Sequence, residues 1–131
     1  MNRQRREALN AQDRPSATPV PPTIPLTPEV RQAYQNLYNK MQDAIQQTTN
    51  VALLQALNTW QGEVDDVLTK DNMYRLQAST ALFKALLEQI NYTNDGLEKL
   101  KGEIESISSG FQDAAQVLAA INQVLGLIPG I

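Results

Sequence analysis

The sequence contains no cysteine and no histidine. That excludes disulfides, thiolate nucleophiles, imidazole acid–base chemistry and the usual zinc ligand sets. Lack of cysteine suits an oxidising or a reducing compartment equally, so it places the chain in neither. Aromatic residues number only seven and glycines six in 131 residues. Such a composition is poor in the turn residues and inward-facing rings of a sandwich or barrel. No apolar run reaches the ~18 residues that an ordinary transmembrane helix requires. The opening stretch MNRQRREALNAQD also lacks the apolar core of a secretory signal.

What the chain does hold is side-chain amide: Gln and Asn together number 24. Apolar residues make up 42%, enough to cover the core of one domain of this length. The pairing of an ordinary apolar fraction with amide-rich remainder suits long helices with solvated faces. Net charge is −3, unevenly placed. Residues 1–14 carry four Arg against Glu7 and Asp13, a local +2, and the rest of the chain carries −5.

Six of the seven prolines fall between Pro15 and Pro28. Each proline fixes φ, removes a backbone donor and pushes its predecessor towards extended geometry. Residues 1–27 are therefore predicted to form an extended, polyproline-like arm. Its apolar side chains Val20, Ile24 and Leu26, with the basic Arg3, Arg5 and Arg6, are the candidate anchors. They predict an arm that docks on a partner or a neighbouring subunit.

The arm ends at TPEV. Thr27 suits a helix N-cap, Pro28 the first helical position, and Glu29 the positive end of the helix dipole. Val30, Tyr34, Leu37, Met41 and Ile45 then recur at steps of three and four. The pattern weakens at QQTTN, where β-branched Thr48 and Thr49 precede Asn50. It resumes as Leu53, Leu57, Trp60, Val64 and Val67. Residues 28–70 thus form one amphipathic segment with a phase slip, or two helices broken near residue 49. TKDN at 69–72 is the next predicted turn.

From Phe83 a single alternation of three and four follows: Phe83, Leu86, Ile90, Thr93, Leu97, Leu100, Ile104, Ile107, Phe111, Ala114, Leu118, Ile121, Leu125 and Ile128. Only Thr93 among these is polar. A sustained 3.5-residue repeat implies a supercoil, since a straight helix would rotate the stripe away from its partner. The expectation is one heptad helix over 72–128, about 85 Å long, with a short tail at 129–131. Gly96, Gly102 and Gly110 are read as flexible or closely packed points within it. Positions flanking the stripe hold few opposite charges, and Ala115, Val117 and Val124 widen it near the end. A wide seam of mixed Leu and Ile suits three or more helices rather than a pair, and a homotrimer is the expected self-association.

No candidate active site emerges. Glu63, Asp65, Asp66 and Asp71 are the densest acidic group and are read as a solvated face or turn. No nucleophile motif or phosphate-cradling glycine loop occurs, so neither catalytic residues nor cofactors nor metals are expected. RQRR at 3–6 is read as a polar anchor rather than a nucleic-acid site, because four Arg on one terminus give modest, salt-sensitive affinity. The triplet Trp60-Gln61-Gly62 resembles the turn of small secreted helical hairpins of the WXG type. That resemblance implies a turn at 60–62 and an export signal of tyrosine followed four residues later by an acid. Here Tyr92 is followed at that spacing by Gly96, and Trp60 is in phase with Leu57 and Val64. Trp60 is accordingly read as a core or interface side chain within a helix.

The fold class expected is all-α: an extended Pro-rich arm, then long helices forming an oligomeric coiled coil or helical bundle. The function expected is a non-enzymatic structural subunit of a larger assembly, of the kind phage virions and injection machines employ. Its partners would be copies of itself and the host surface contacted by residues 1–27. The sequence leaves the location unknown, and the lack of signal and spanning segments favours a virion-associated or cytoplasmic one. The alternatives are a secreted or membrane-active helical hairpin, with residues 111–131 on lipid, and an assembly scaffold or chaperone. Gln112, Gln116 and Gln123 share one face of that tail, which favours helical packing over insertion.

Overall fold

The computed structural model describes residues 24–107 and 113–127. These residues form four helices and no strand: α1 (Pro28–Gln47), α2 (Val51–Leu76), α3 (Thr80–Ser106) and α4 (Ala114–Leu127). Each helix packs on the next in sequence, and α4 also packs on α1, closing a ring around one core. α1 and α2 are antiparallel: Arg31, near the start of α1, meets Asp71, near the end of α2, and Gln42 meets Gln61. α2 and α3 are antiparallel as well, with Tyr74 against Phe83 at one end and Trp60 against Tyr92 further along.

Local chemistry sets the helix starts. Thr27 Oγ1 accepts from Val30 N at 3.3 Å, with Pro28 and Glu29 in the first turn of α1. Asn50 Oδ1 accepts from Leu53 N at 2.9 Å and opens α2, which resolves the weak stretch near residue 49 into a break at 48–50. Two other boundaries differ from expectation. TKDN at 69–72 lies inside α2, because Asp71 turns inward to partners on other elements. The chain turns instead at 77–79, where Ser79 Oγ accepts from Leu82 N at 3.1 Å and caps α3.

The helix expected over 72–128 is divided. Ile107 adopts extended backbone and ends α3, and α4 begins at Ala114. The interval 107–113 is one heptad long, so the apolar spacing crosses the break without losing count. Phase continuity here does not mean helix continuity. Gly110 lies outside the described residues.

The stripe is covered by its own chain. Leu86, Ile90, Leu97, Leu100, Ile104 and Ile121 are all buried, and Thr93 with them. Their neighbours in the core are Tyr34, Leu37, Met41 and Ala44 of α1 and Leu53, Leu57, Val64 and Val67 of α2. On α4 the buried face is Val117, Ala120, Ile121 and Val124, while Ala114, Leu118 and Leu125 are half-buried. Val117 and Val124 of the widened surface are buried where α4 meets two helices of the same chain, α1 and α3, whereas Ala115 is exposed. Phe111 and Ile128 lie outside the described residues.

Trp60, Gln61 and Gly62 sit in the middle of α2, so the turn implied by the Trp-x-Gly triplet does not form. The Trp60 ring crosses Gly96 of α3 and lies 5.4 Å from the Tyr92 ring, tilted by 42°. A Cβ on Gly96 would stand 2.0 Å from Trp60 Cη2, so the indole occupies the space that any larger residue at 96 would need. Gly62 and Gly102 face open space. Gly62→Ala and Gly102→Ala are each expected to stabilise the bundle by about 0.5–1 kcal/mol, through helix propensity alone. Urea melts of the single and double variants check both the sign and the additivity.

Candidate functional site: an arm clamp and an exposed pole

Asp71 is fully buried near the C-terminal end of α2. A bare carboxylate there would be strongly disfavoured, and the structure supplies three donors. Leu26 N–H donates to Oδ1 at 2.8 Å. Arg75 Nε donates to Oδ2 at 2.7 Å from one turn further along α2, and Arg31 Nη1 of α1 donates to the same oxygen. Arg75 Nη2 also donates to Leu26 O. The main chain of Leu26 is thus gripped at both its N–H and its carbonyl, while its side chain is 1% exposed within the core. Ile24 packs at the edge of that core.

This arrangement corrects one expectation and locates one candidate anchor. Asp71 belongs to no solvated acidic face, though Asp65 remains exposed and Glu63 accepts from Gln89 Nε2 at 2.8 Å. Leu26, one of the candidate arm anchors, packs within its own bundle. Arg3, Arg5, Arg6 and Val20 lie outside the described residues. Among the described residues no group of acidic side chains is placed to hold a metal ion.

The amide-rich composition reappears as rungs between helices. Gln61 Nε2 donates to Gln42 Oε1 at 2.9 Å and to Tyr38 O at 3.3 Å. Lys70 Nζ donates to Gln89 Oε1 at 3.0 Å, and Gln89 Nε2 donates to Thr93 Oγ1 at 2.9 Å. Thr93, the one polar member of the stripe, donates in turn to Glu63 O at 3.4 Å. Tyr34 of α1 reaches across the core, its hydroxyl donating to Asn94 Oδ1 of α3 at 2.8 Å.

Burial pushes the Tyr34 phenol well above its ordinary value, and the hydrogen bond to Asn94 offsets part of that rise. An unfolded chain releases this proton near pH 10, whereas the folded chain retains it. The contribution of the neutral phenol is therefore complete below about pH 10 and declines above it. Tyr34→Phe is expected to cost about 1 kcal/mol near neutrality. It should also flatten the alkaline loss of stability by up to ~1.4 kcal/mol per pH unit. Denaturant titrations of both proteins on either side of pH ~10 measure the two effects separately.

The clamp, the turn at 77–79 and the first turn of α3 lie together at one pole of the bundle. Leu76 is 88% exposed there, Met73 47% and Phe83 42%. Phe83, the first member of the heptad stripe, lies beyond the core and meets Tyr74 edge-on, with ring centroids 6.1 Å apart. These two rings, with Ala78, Ser79 and Thr80, border an open cavity of about 350 Å³. A second groove, about 520 Å³, runs between α1 and α2 beside Arg31 and Arg75 and is lined otherwise by Pro28, Leu68 and side-chain amides.

Two signals in the sequence could have found part of this. Asp71 and Arg75 stand four residues apart, the spacing of a helical ion pair, and Ser79 stands at cap spacing, three residues before Leu82. Arg31 carries no such local signal. No helix among the described residues is long and apolar enough to cross a membrane. The chain matches no protein-family model, no curated protein and no solved structure.

Proposed function

We propose that this chain is a non-enzymatic interaction subunit of a larger assembly, attached through the pole at which its N-terminal arm joins the bundle. The observation that carries this reading is the exposure of Leu76 and Met73 at that pole, 88% and 47% respectively, beside the clamped Leu26. Large apolar side chains gathered at one end of a bundle are suited to contact with protein; the other exposed ones among the described residues, Val51 and Tyr92, lie on α2 and α3 away from this pole. The buried polar groups support the same reading. Asp71, Tyr34, Asn94, Thr93 and Gln61 all engage in hydrogen bonds between elements, so their chemistry serves to hold the fold.

Self-association, in this reading, also uses the pole. Six of the stripe side chains once expected at a trimer seam are covered by helices of the same chain. Phage virions and injection-type machines are the kind of host that small, amide-rich helical subunits with extended arms suit. The basic tip Arg3, Arg5 and Arg6 is the part of the arm that would fasten to such a host.

Gradient sedimentation of the native particle or cell extract tests the reading. The chain is expected in fractions far heavier than a 14.5 kDa protein. Leu76→Asp combined with Met73→Asp should move it to the light fractions, while changing the stability of the purified chain by no more than about 0.5 kcal/mol per site. Wild-type chain found only in the light fractions would end the assembly reading.

A further inference from the structure

Asp71 is wholly buried, whereas the side chains of the two arginines that share it are 30% and 39% exposed. The counter-charge thus lies beneath the surface, and the guanidiniums that water meets carry one unit of positive charge more than it balances. Their bonds to Asp71 and to Leu26 O use only part of the N–H donors that two guanidiniums carry. The groove of about 520 Å³ between α1 and α2 is bordered by both arginines. Its other described lining residues are Pro28, Gln32, Gln35, Leu68 and Asn72, and none of them is acidic. General basicity of the chain does not account for this, since residues 15–131 hold seven basic against twelve acidic groups, a sum of −5. The neutral lining narrows the ligand further. The amides of Gln32, Gln35 and Asn72 can donate to and accept from a peptide main chain, and Leu68 and Pro28 offer apolar surface. None of the described lining residues is an aromatic ring on which a nucleobase could stack.

We propose that this groove takes an acidic segment of a partner protein, with a carboxylate over Arg31 and Arg75 and the amides against its main chain. Arginine suits that task, because its planar fork matches a carboxylate while its other donors hold Asp71. The proposal rests on the assembly reading, for which it names the chemistry of the partner.

The test leaves the clamp intact. Gln32 and Asn72 are exposed, and replacing them alters neither Asp71 nor its donors. Full-length chain is titrated at low ionic strength against a fluorescein-labelled peptide of alternating glutamate and alanine, with binding followed by anisotropy. Gln32→Glu with Asn72→Asp puts two negative charges in the groove and is expected to weaken binding roughly tenfold or more. Gln32→Lys with Asn72→Lys is expected to tighten it by a similar factor. Equal affinity of the three chains overturns the proposal, as does equal binding of the same peptide with glutamine in place of glutamate. A single-stranded oligonucleotide of the same charge, bound more tightly than the peptide, overturns it in favour of nucleic acid. Gradient sedimentation of the native particle or extract separates this outcome from the assembly reading. There the Gln32→Glu, Asn72→Asp chain is expected in the light fractions and wild type in the heavy ones. If both sediment as heavy, the groove proposal fails and the assembly reading stands. If wild type is found only as light, the assembly reading fails and the titration alone decides the groove.

Discussion

Asp71→Ala is expected to destabilise the chain by about 2–4 kcal/mol, the largest loss for any single polar residue of the bundle. The substitution removes a fully buried acceptor that serves three donors on three elements. Leu26 N–H would be left in a buried position without its partner, at a cost of about 1–3 kcal/mol. Arg31 and Arg75 would lose their shared counter-charge. Their side chains are 30% and 39% exposed, so water recovers part of that loss and holds the total below the range for a wholly buried pair. For a domain whose net stability is about 5–15 kcal/mol, such a loss lowers the melting temperature by roughly 10 °C or more. Asp71→Asn should fall in between, since an amide oxygen still accepts from Leu26 while the charge is gone. Urea melts of the two variants separate the contribution of the hydrogen bond from that of the charge. Equal stability of Asp71→Ala and wild type would mean that the arm is held by Leu26 packing alone.

Gly96→Ala should destabilise by about 1–3 kcal/mol, although alanine is the better helix former by about 1 kcal/mol. The added Cβ would stand within 2.0–2.4 Å of three atoms of the Trp60 ring. Either the ring leaves its place beside Tyr92, or α2 and α3 separate along the face that also carries the Gln89 and Thr93 rungs. The opposite sign at Gly62 and Gly102, where a Cβ meets open space, makes the three glycines an internal control. Trp60→Ala in the Gly96→Ala background should recover the part of the loss that is steric, leaving the cost of the missing indole. A double-mutant cycle on Trp60 and Gly96, read by denaturant melts, isolates that coupling. Near-additive effects would refute a steric origin.

These two sites also mark where periodicity stopped being informative. Spacing left Gly96, like Gly102, as a flexible or closely packed point within a helix, and nothing local names Trp60 as the residue across from it, 36 positions away. The start of α1 at Thr27 and Pro28 was legible because a cap acts over three residues. The break at 48–50 was legible as one of two readings, from β-branched Thr48 and Thr49 and the poor helix former Asn50; the structure makes Asn50 the cap of α2. The turn misplaced at 69–72 shows the converse. A polar quartet looks like a turn when its aspartate is taken to face water, and it becomes helix interior once Arg31 and Leu26 supply the aspartate with partners.

The amphipathic stripe from Leu86 to Ile104 followed from spacing alone, because side chains three and four apart share a helix face whatever covers them. Spacing therefore determined that this stretch is helical and that its stripe from Leu86 to Ile104 avoids water, though not that Phe83 at its head lies outside the core. It did not determine whose helices cover the stripe, since a seam between chains and a core within one chain require the same pattern. Nor did it reveal the break before α4, because an interval of one heptad preserves the count. Those outcomes belong to the tertiary structure alone. The contacts that hold Asp71 to Arg31 and Leu26, and Arg75 to Leu26, join residues 40 to 49 positions apart, far beyond the reach of any helical period.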